Sequence, residues 1–203
     1  MKKLICGLLT LVSFSALATE NNMMMRMRAI NVMPDEKGSP SIVGGDVKLN
    51  NVSVPEVDFT YFFSKNIAAE LILATATHKA SAYKTSLNNL DLGDVSLLPP
   101  TLLVQYHHEF ESFKPYVGAG INYTIFYGED TGVAKNVSYD NNVGYAFQVG
   151  GDYQVAENLF INFDVKKLFL STDVEVETYS NGSVKAKVDI DPYIVGLGFG
   201  FKF

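Results

Sequence analysis

Alternation of apolar and polar side chains with period two, in blocks of about ten residues, most constrains what this chain can become. The blocks are eight, at 23–32, 55–63, 67–76, 100–110, 114–127, 142–154, 158–171 and 189–203. A strand sends successive side chains to opposite faces, so each block makes one apolar and one mixed face. Blocks of this length suit a tilted strand crossing a bilayer, which needs roughly 9–11 residues. Their connections alternate in length. Ser64-Lys65-Asn66, Glu111-Ser112-Phe113 and Val155-Ala156-Glu157 are short, whereas 33–54, 77–99, 128–141 and 172–188 are long and rich in Asn, Asp, Gly, Ser and Pro. Within the last, Tyr179-Ser180-Asn181-Gly182 reads as a hairpin tip, because Asn-Gly tolerates positive φ. Its alternating flanks predict a ribbon projecting beyond the bilayer. Short turns at one end and long loops at the other, around an even number of antiparallel strands, predict an all-β, eight-stranded antiparallel transmembrane β-barrel of the outer-membrane type. Such a sheet must close, since lipid offers no partner to an unpaired edge.

Both ends of the sequence agree with that class. Met1-Lys2-Lys3 followed by the apolar run to Leu17 and Ala16-Leu17-Ala18 reads as a cleavable secretory signal over residues 1–18, too short to span a membrane. The domain reading is therefore a removed leader, then one barrel over 19–203. Cys6, the sole cysteine, falls inside the leader, so no disulfide is expected. In the final block Tyr193, Val195, Leu197, Phe199, Phe201 and Phe203 form one apolar row, and Ile194, Gly196, Gly198, Gly200 and Lys202 the other. Phe203, Phe201 and Tyr193 are read as the signal for the barrel assembly machinery. The expected destination is the bacterial outer membrane after Sec-type export.

Charge removes other classes. The 16 basic residues fall to 14 once Lys2 and Lys3 leave with the leader, against 22 acidic ones. Such a balance argues against nucleic-acid binding. Adjacent His107 and His108 point to opposite faces of a strand and cannot share a metal. Gly118-Ala119-Gly120 and Gly150-Gly151 lie inside strands, not between strand and helix, so they are not phosphate loops. No cofactor and no metal are expected.

The runs Leu98-Pro99-Pro100-Thr101-Leu102-Leu103-Val104-Gln105-Tyr106-His107 and Lys114-Pro115-Tyr116-Val117-Gly118-Ala119-Gly120-Ile121-Asn122-Tyr123-Thr124 resemble the OmpW family of outer-membrane proteins. So do Ala68-Ala69-Glu70-Leu71, Thr77-His78-Lys79 and Val188-Asp189-Ile190-Asp191-Pro192. The resemblance implies an eight-stranded barrel connected with the passage of small hydrophobic molecules.

Placing the more apolar row of each block outward assigns the faces without reference to any family. Lipid then meets Met25/Met27/Ala29, Val57/Phe59/Tyr61/Phe63, Ala69/Leu71/Leu73, Leu102/Val104/Tyr106, Val117 to Ile125, Val143 to Val149, and Leu159 to Val165 at alternate positions. Lys167 falls on the lipid row, where it must reach the headgroups. Inward, the lower half collects Arg26, Arg28, Glu70, His107, Glu109, Asp152, Asn162, Asp164 and Lys202, with Gln105, Gln148 and Lys166 at mid-height. The upper half collects Ile30, Ile72, Ala74, Ala76, Leu103, Phe126, Leu168, Leu170 and Ile194. A barrel this small holds packed side chains or one small ligand. The expectation is a polar plug (Arg26, Arg28, Glu70, His107, Asp152, Asp164) beneath an apolar pocket lined by Leu103, Ile72, Phe126, Leu168, Leu170 and Ile30.

From this follows passive uptake of small hydrophobic solutes, with exit sideways between strands into the outer-membrane lipids. Two alternatives stand beside it. One is a structural or adhesive barrel without transport. The other is a lipid-modifying enzyme using His78 and Ser81, with Asp91 and Asp94 further along the same loop; no nucleophile motif surrounds them and no catalytic residue is assigned.

Overall fold

A computed structural model describes residues 22–35, 46–85, 88–128, 136–178 and 182–203. The leader read over 1–18 and the hairpin tip at Tyr179–Asn181 lie outside the described residues, as does 36–45 of the first long connection. Strands run in the order β1 (Met23–Met33), β2 (Asp46–Leu49), β3 (Val52–Phe62), β4 (Ile67–Ala74), β5 (Ala76–Thr85), β6 (Asn88–Leu98) and β7 (Thr101–His107). They continue as β8 (Phe113–Tyr127), β9 (Asn136–Tyr139), β10 (Asn142–Gln154), β11 (Leu159–Phe169), β12 (Ser171–Thr178), β13 (Gly182–Asp189) and β14 (Tyr193–Lys202).

Eight of these close a ring: β1–β3–β4–β7–β8–β10–β11–β14 and back to β1, every neighbour antiparallel. The seam joins the two ends of the chain, with Met24 opposite Lys202 and Met33 opposite Tyr193. Beyond it, Phe203 N–H donates to Met23 O at 2.8 Å and Met23 N–H to Phe203 O at 3.1 Å. Closure leaves no edge for lipid to meet.

At the short end the turns are tight. Ser64 Oγ accepts the N–H groups of Asn66 and Ile67 at 3.3 and 3.1 Å, a local device that competes with strand continuation. Phe110 and Phe113 exchange both backbone hydrogen bonds, at 2.8 and 2.7 Å, leaving a two-residue loop with Glu111 at φ 47°. The block read as 100–110 therefore ends as a strand at His107.

The long connections are more regular than loops. β5 and β6 carry the barrel wall upward as a hairpin over most of 77–99, with β2 on its edge. β12 and β13 form the projecting ribbon over 172–188, and β9 adds a third strand to it. The ribbon is the one its alternating flanks predicted, whereas polar, turn-forming composition hid β2, β5, β6 and β9, because above the bilayer both faces of a strand can be polar.

Alternation of burial follows the assigned faces. Met27, Phe59, Leu71, Val104, Val117, Phe147, Phe163 and Phe199 are exposed to the outside, whereas Arg26, Asp58, Glu70, Gln105, Tyr116, Gln148 and Asp164 are buried. Tyr61, Tyr106 and Tyr153 stand exposed near the short-turn end, and Tyr123 and Tyr145 nearer the other, as interfacial girdles require. Lys167 Nζ lies 3.2 Å from an Asp35 oxygen and donates to Asp191 O, above the Tyr193 ring. It is held at the outer rim rather than in lipid.

Candidate functional site

Two arginines on one strand organise the lower lumen. β1 sends Met24, Arg26, Arg28, Ile30 and Val32 inward. Its neighbour β3 places Asp58 directly opposite Arg26 and Glu56 opposite Arg28. Its other neighbour, β14, offers Gly200 and Gly198 at the same two levels. The glycines make the space. A Cβ at Gly198 would stand 2.0 Å from Met27 O, so no side chain is tolerated there. At Gly200 it would meet the Arg26 chain at 3.2 Å. The guanidinium groups consequently cross the lumen to strands that the sequence keeps far away.

Arg26 forms a bidentate pair with Asp152, Nε to Oδ1 at 3.0 Å and Nη2 to Oδ2 at 2.7 Å. Its Nη1 donates to Thr60 Oγ1 at 2.6 Å, Asp58 Oδ1 at 3.1 Å and Glu70 Oε1 at 3.4 Å. Arg28 donates to Glu56 at 2.7 Å, Glu70 at 3.1 Å and Asn162 at 3.2 Å, and lies 2.5 Å from Asp58 Oδ2. Lys166 joins Glu56 at 2.8 Å to Asp164 at 2.6 Å. Gln105 and Gln148 both donate to Glu70 Oε2 at 2.8 Å, and Tyr116 donates to Asp164 at 3.0 Å. His107 Nε2 sits 2.9 Å from Gln105 Oε1. Three cations thus meet five carboxylates, all buried. Isolated charges in a narrow interior are too costly, so each is paired.

Every residue expected in the plug (Arg26, Arg28, Glu70, His107, Asp152 and Asp164) lies at this level. Glu56, Asp58, Thr60 and Tyr116 complete it and were not singled out from the sequence. The signal existed: they alternate with Val57, Phe59, Tyr61 and Val117, which alternation had placed outward. Glu109 departs from its expected place in the lumen. It stands exposed in the turn after β7, where the Lys114 hydrogen bond, at 2.6 Å, holds its carboxyl below the usual carboxylate range.

Above Arg28, Glu70 and Lys166 the inward row becomes apolar within one step, to Ile30, Ile72 and Leu168. These three join Val32, Ala76, Leu97, Leu103, Phe126, Leu170, Ile190 and Ile194 in one buried cluster. A cleft of about 40 Å³ runs through it, walled by Ile30, Ile72, Leu168, Leu170, Ile194 and Pro99 among others, with Glu56 and Lys166 at its base. Leu103 and Phe126 pack in the cluster without reaching the cleft wall; Phe126 instead stacks on Tyr139 at 5.5 Å. Polar groups absent from the sequence reading rise on this side too. Thr101, Asn122 and Thr124 are buried, with Thr124 Oγ1 donating to Asn122 Oδ1 at 3.2 Å.

The wall beside the cleft is interrupted. β4 and β7 pair up to Ile72 and Thr101, and pairing resumes between β5 and β6 at Ala76 and Leu97. Between those rungs Leu73, Ala74 and Thr75 face Leu98, Pro99 and Pro100 with no ladder pair among the described residues. The two prolines have no N–H to give. Ala74 and Pro99 both reach the cleft.

His78 is buried on β5 and meets Asn50 O through Nδ1 at 2.8 Å. Ser81 is three positions along the strand and so belongs to the opposite face. Asp94 stands across from Lys79, and Asp91 across from Ser81. His78 and Ser81, the pair considered for catalysis, therefore do not share a face of β5. Among the described residues no cluster of His, Cys, Asp and Glu has a metal-binding arrangement.

A closed ring of eight antiparallel strands, apolar outside and ionic within, is a barrel of the bacterial outer membrane. The OmpW family's sequence profile matches residues 19–203, and the chain belongs to that family. It is similar to the outer-membrane protein y4mB of Sinorhizobium fredii, 41% identical over 88% of this chain and 79% of that one. It is 31% identical to outer membrane protein W of Vibrio cholerae over the full length of both. In three dimensions it resembles the outer membrane protein OprG of Pseudomonas aeruginosa, with a TM-score of 0.83 at 27% identity over 90% of this chain and 95% of that one. The resemblance to this family read from the Leu-Pro-Pro and Pro-Tyr-Val-Gly-Ala-Gly runs therefore holds, as does the outer-membrane location.

Proposed function

We propose that this barrel is a passive, selective channel for small hydrophobic molecules, which enter the apolar upper lumen and leave sideways into the bilayer. The observation that carries the reading is the ionic plug directly beneath an apolar compartment. A hydrophobic solute above Arg28 and Lys166 meets a floor it cannot cross without separating buried ion pairs. The unladdered stretch at Leu73–Thr75 and Leu98–Pro100 is the exit, since parting it breaks no backbone hydrogen bond between those segments. The cleft of about 40 Å³ is well under the roughly 300–1,000 Å³ of a ligand pocket, so passage needs side chains or the outer strands to move. The chain acts without catalysis or cofactor. Its partners are the solute, the surrounding outer-membrane lipids and, during biogenesis, the barrel assembly machinery.

The test is uptake of n-octane by whole cells with an intact outer membrane, against cells lacking the protein. A disulfide between Ala74→Cys and Pro99→Cys should abolish the difference and reduction should restore it, with the heat-modifiable folded form unchanged. Undiminished uptake by the locked barrel would remove the lateral exit. Undiminished uptake by Ile72→Lys would remove the compartment as the route. The narrowness of the cleft favours one other reading, a structural or surface-contact barrel. Equal octane uptake with and without the protein would select it.

A further inference from the structure

The ligand-sized space in the described lumen lies under the plug, not above it. A cavity of about 370 Å³ opens at the short-turn end, lined by Lys65, Lys114, Lys202, His107, Phe62 and Phe160 among others. Its two carboxylates are already engaged. Asp152 is held by both arms of Arg26 and by Asn162, and Glu109 by Lys114. Its cations are not fully engaged. Lys202, half-buried, lies 5.3 Å above the Phe62 ring, with no carboxylate in ion-pair distance among the described residues. Lys65 is likewise without an acidic partner among them. His107 is 3% exposed, and its Nδ1 has no hydrogen-bond partner although Nε2 is tied to Gln105. With Nε2 donating to Gln105 Oε1, that Nδ1 is a lone pair, so it is the ammonium groups of Lys202 and Lys65 that call for an anion.

The walls narrow the chemistry. Met24, Phe62 and Phe160 give the cavity an apolar side next to its basic one. Lys114 also lies over an aromatic wall, 5.8 Å from the Phe160 ring centre. A compact inorganic anion would use the cations and leave these rings idle. We infer that this vestibule is a binding site, open to the periplasm, for a small monocarboxylate carrying a short apolar or aromatic body. The carboxylate is held by Lys202, with Lys65 in reach of the mouth, and the body rests on Phe62 and Phe160. The site is separated from the apolar compartment by the plug and does not depend on what that compartment carries.

The probe is sodium benzoate, added to the isotope-labelled full chain folded in lipid nanodiscs and followed by amide and imidazole resonances. Saturable shifts are expected at His107, Lys202 and Phe160, with half-saturation in the low millimolar range. Lys202→Gln should weaken binding by about tenfold, the usual worth of one charge-assisted contact. Lys65→Gln should weaken it less, and acetate, lacking the apolar body, should bind more weakly than benzoate. The heat-modifiable form of each variant confirms that it folds. The proposal is overturned by linear, unsaturated shifts, by an unchanged response in folded Lys202→Gln, or by phosphate producing the same shifts with equal strength.

Discussion

The lower and upper halves of the lumen are built from the same strands, yet they hold together by opposite means. On β1 the change falls between Arg28 and Ile30, on β4 between Glu70 and Ile72, and on β11 between Lys166 and Leu168. Below the boundary, positions are specified by direction: an arginine fork must meet particular oxygens. Above it, they are specified by volume alone, and a threonine or asparagine is accommodated where it finds a partner. The lower half is therefore intolerant of losing one member, while the upper half tolerates apolar exchanges that keep its volume. The proposed sideways route uses that division, with the ionic half as its closed end.

The comparison can be broken most severely at Arg26. Arg26→Met leaves buried Asp152 without its cation, and Asp58 and Glu70 with Arg28 alone, and should cost about 3–5 kcal/mol, read from urea unfolding in bilayers. Next comes the roof. Leu168→Ala should cost about 2–3 kcal/mol, toward the low end for a buried leucine because the site adjoins open space. The boundary itself can be tested with Lys166→Met, Glu56→Gln and the double variant. Those two side chains share a 2.8 Å contact, so the cycle should return a coupling of about 1–3 kcal/mol, whereas Lys166 with Leu170 should be additive within about 0.5 kcal/mol. Smallest is Glu111→Gly in the turn, outside both halves. Relief of its positive φ should stabilise the barrel by about 1 kcal/mol or less, with the interior unchanged.

Period two made the faces legible: each outward residue assigned from alternation, from Met27 to Phe199, does point outward. That same alternation contained Glu56, Asp58 and Tyr116, so their omission was a failure to read the inward row completely. Pairing was not legible in the same way. Asp152 stands 126 positions from Arg26, and only the stagger of strands around the ring brings the two together. The placement of Leu103 and Phe126 behind the cleft wall was hidden for a related reason. Height along a strand is readable from sequence, but which neighbour a side chain leans on depends on ring geometry and rotamer. Strands β5 and β6 were obscured by their polarity, since outside the bilayer neither face need be apolar, whereas the alternating flanks of the Asn-Gly tip did announce the ribbon of β12 and β13.

The seam between β1 and β14 has a consequence for how the molecule comes into being. Its first and last strands are mutual neighbours, so any part of the chain that lacks β14 leaves two raw edges, and Arg26 lacks its Asp152 partner until β10 is in place. Contacts spanning nearly the whole sequence make spontaneous closure slow, and until it happens the aromatic skin faces water. Closure and insertion are therefore linked, because only the closed ring satisfies every strand edge in lipid.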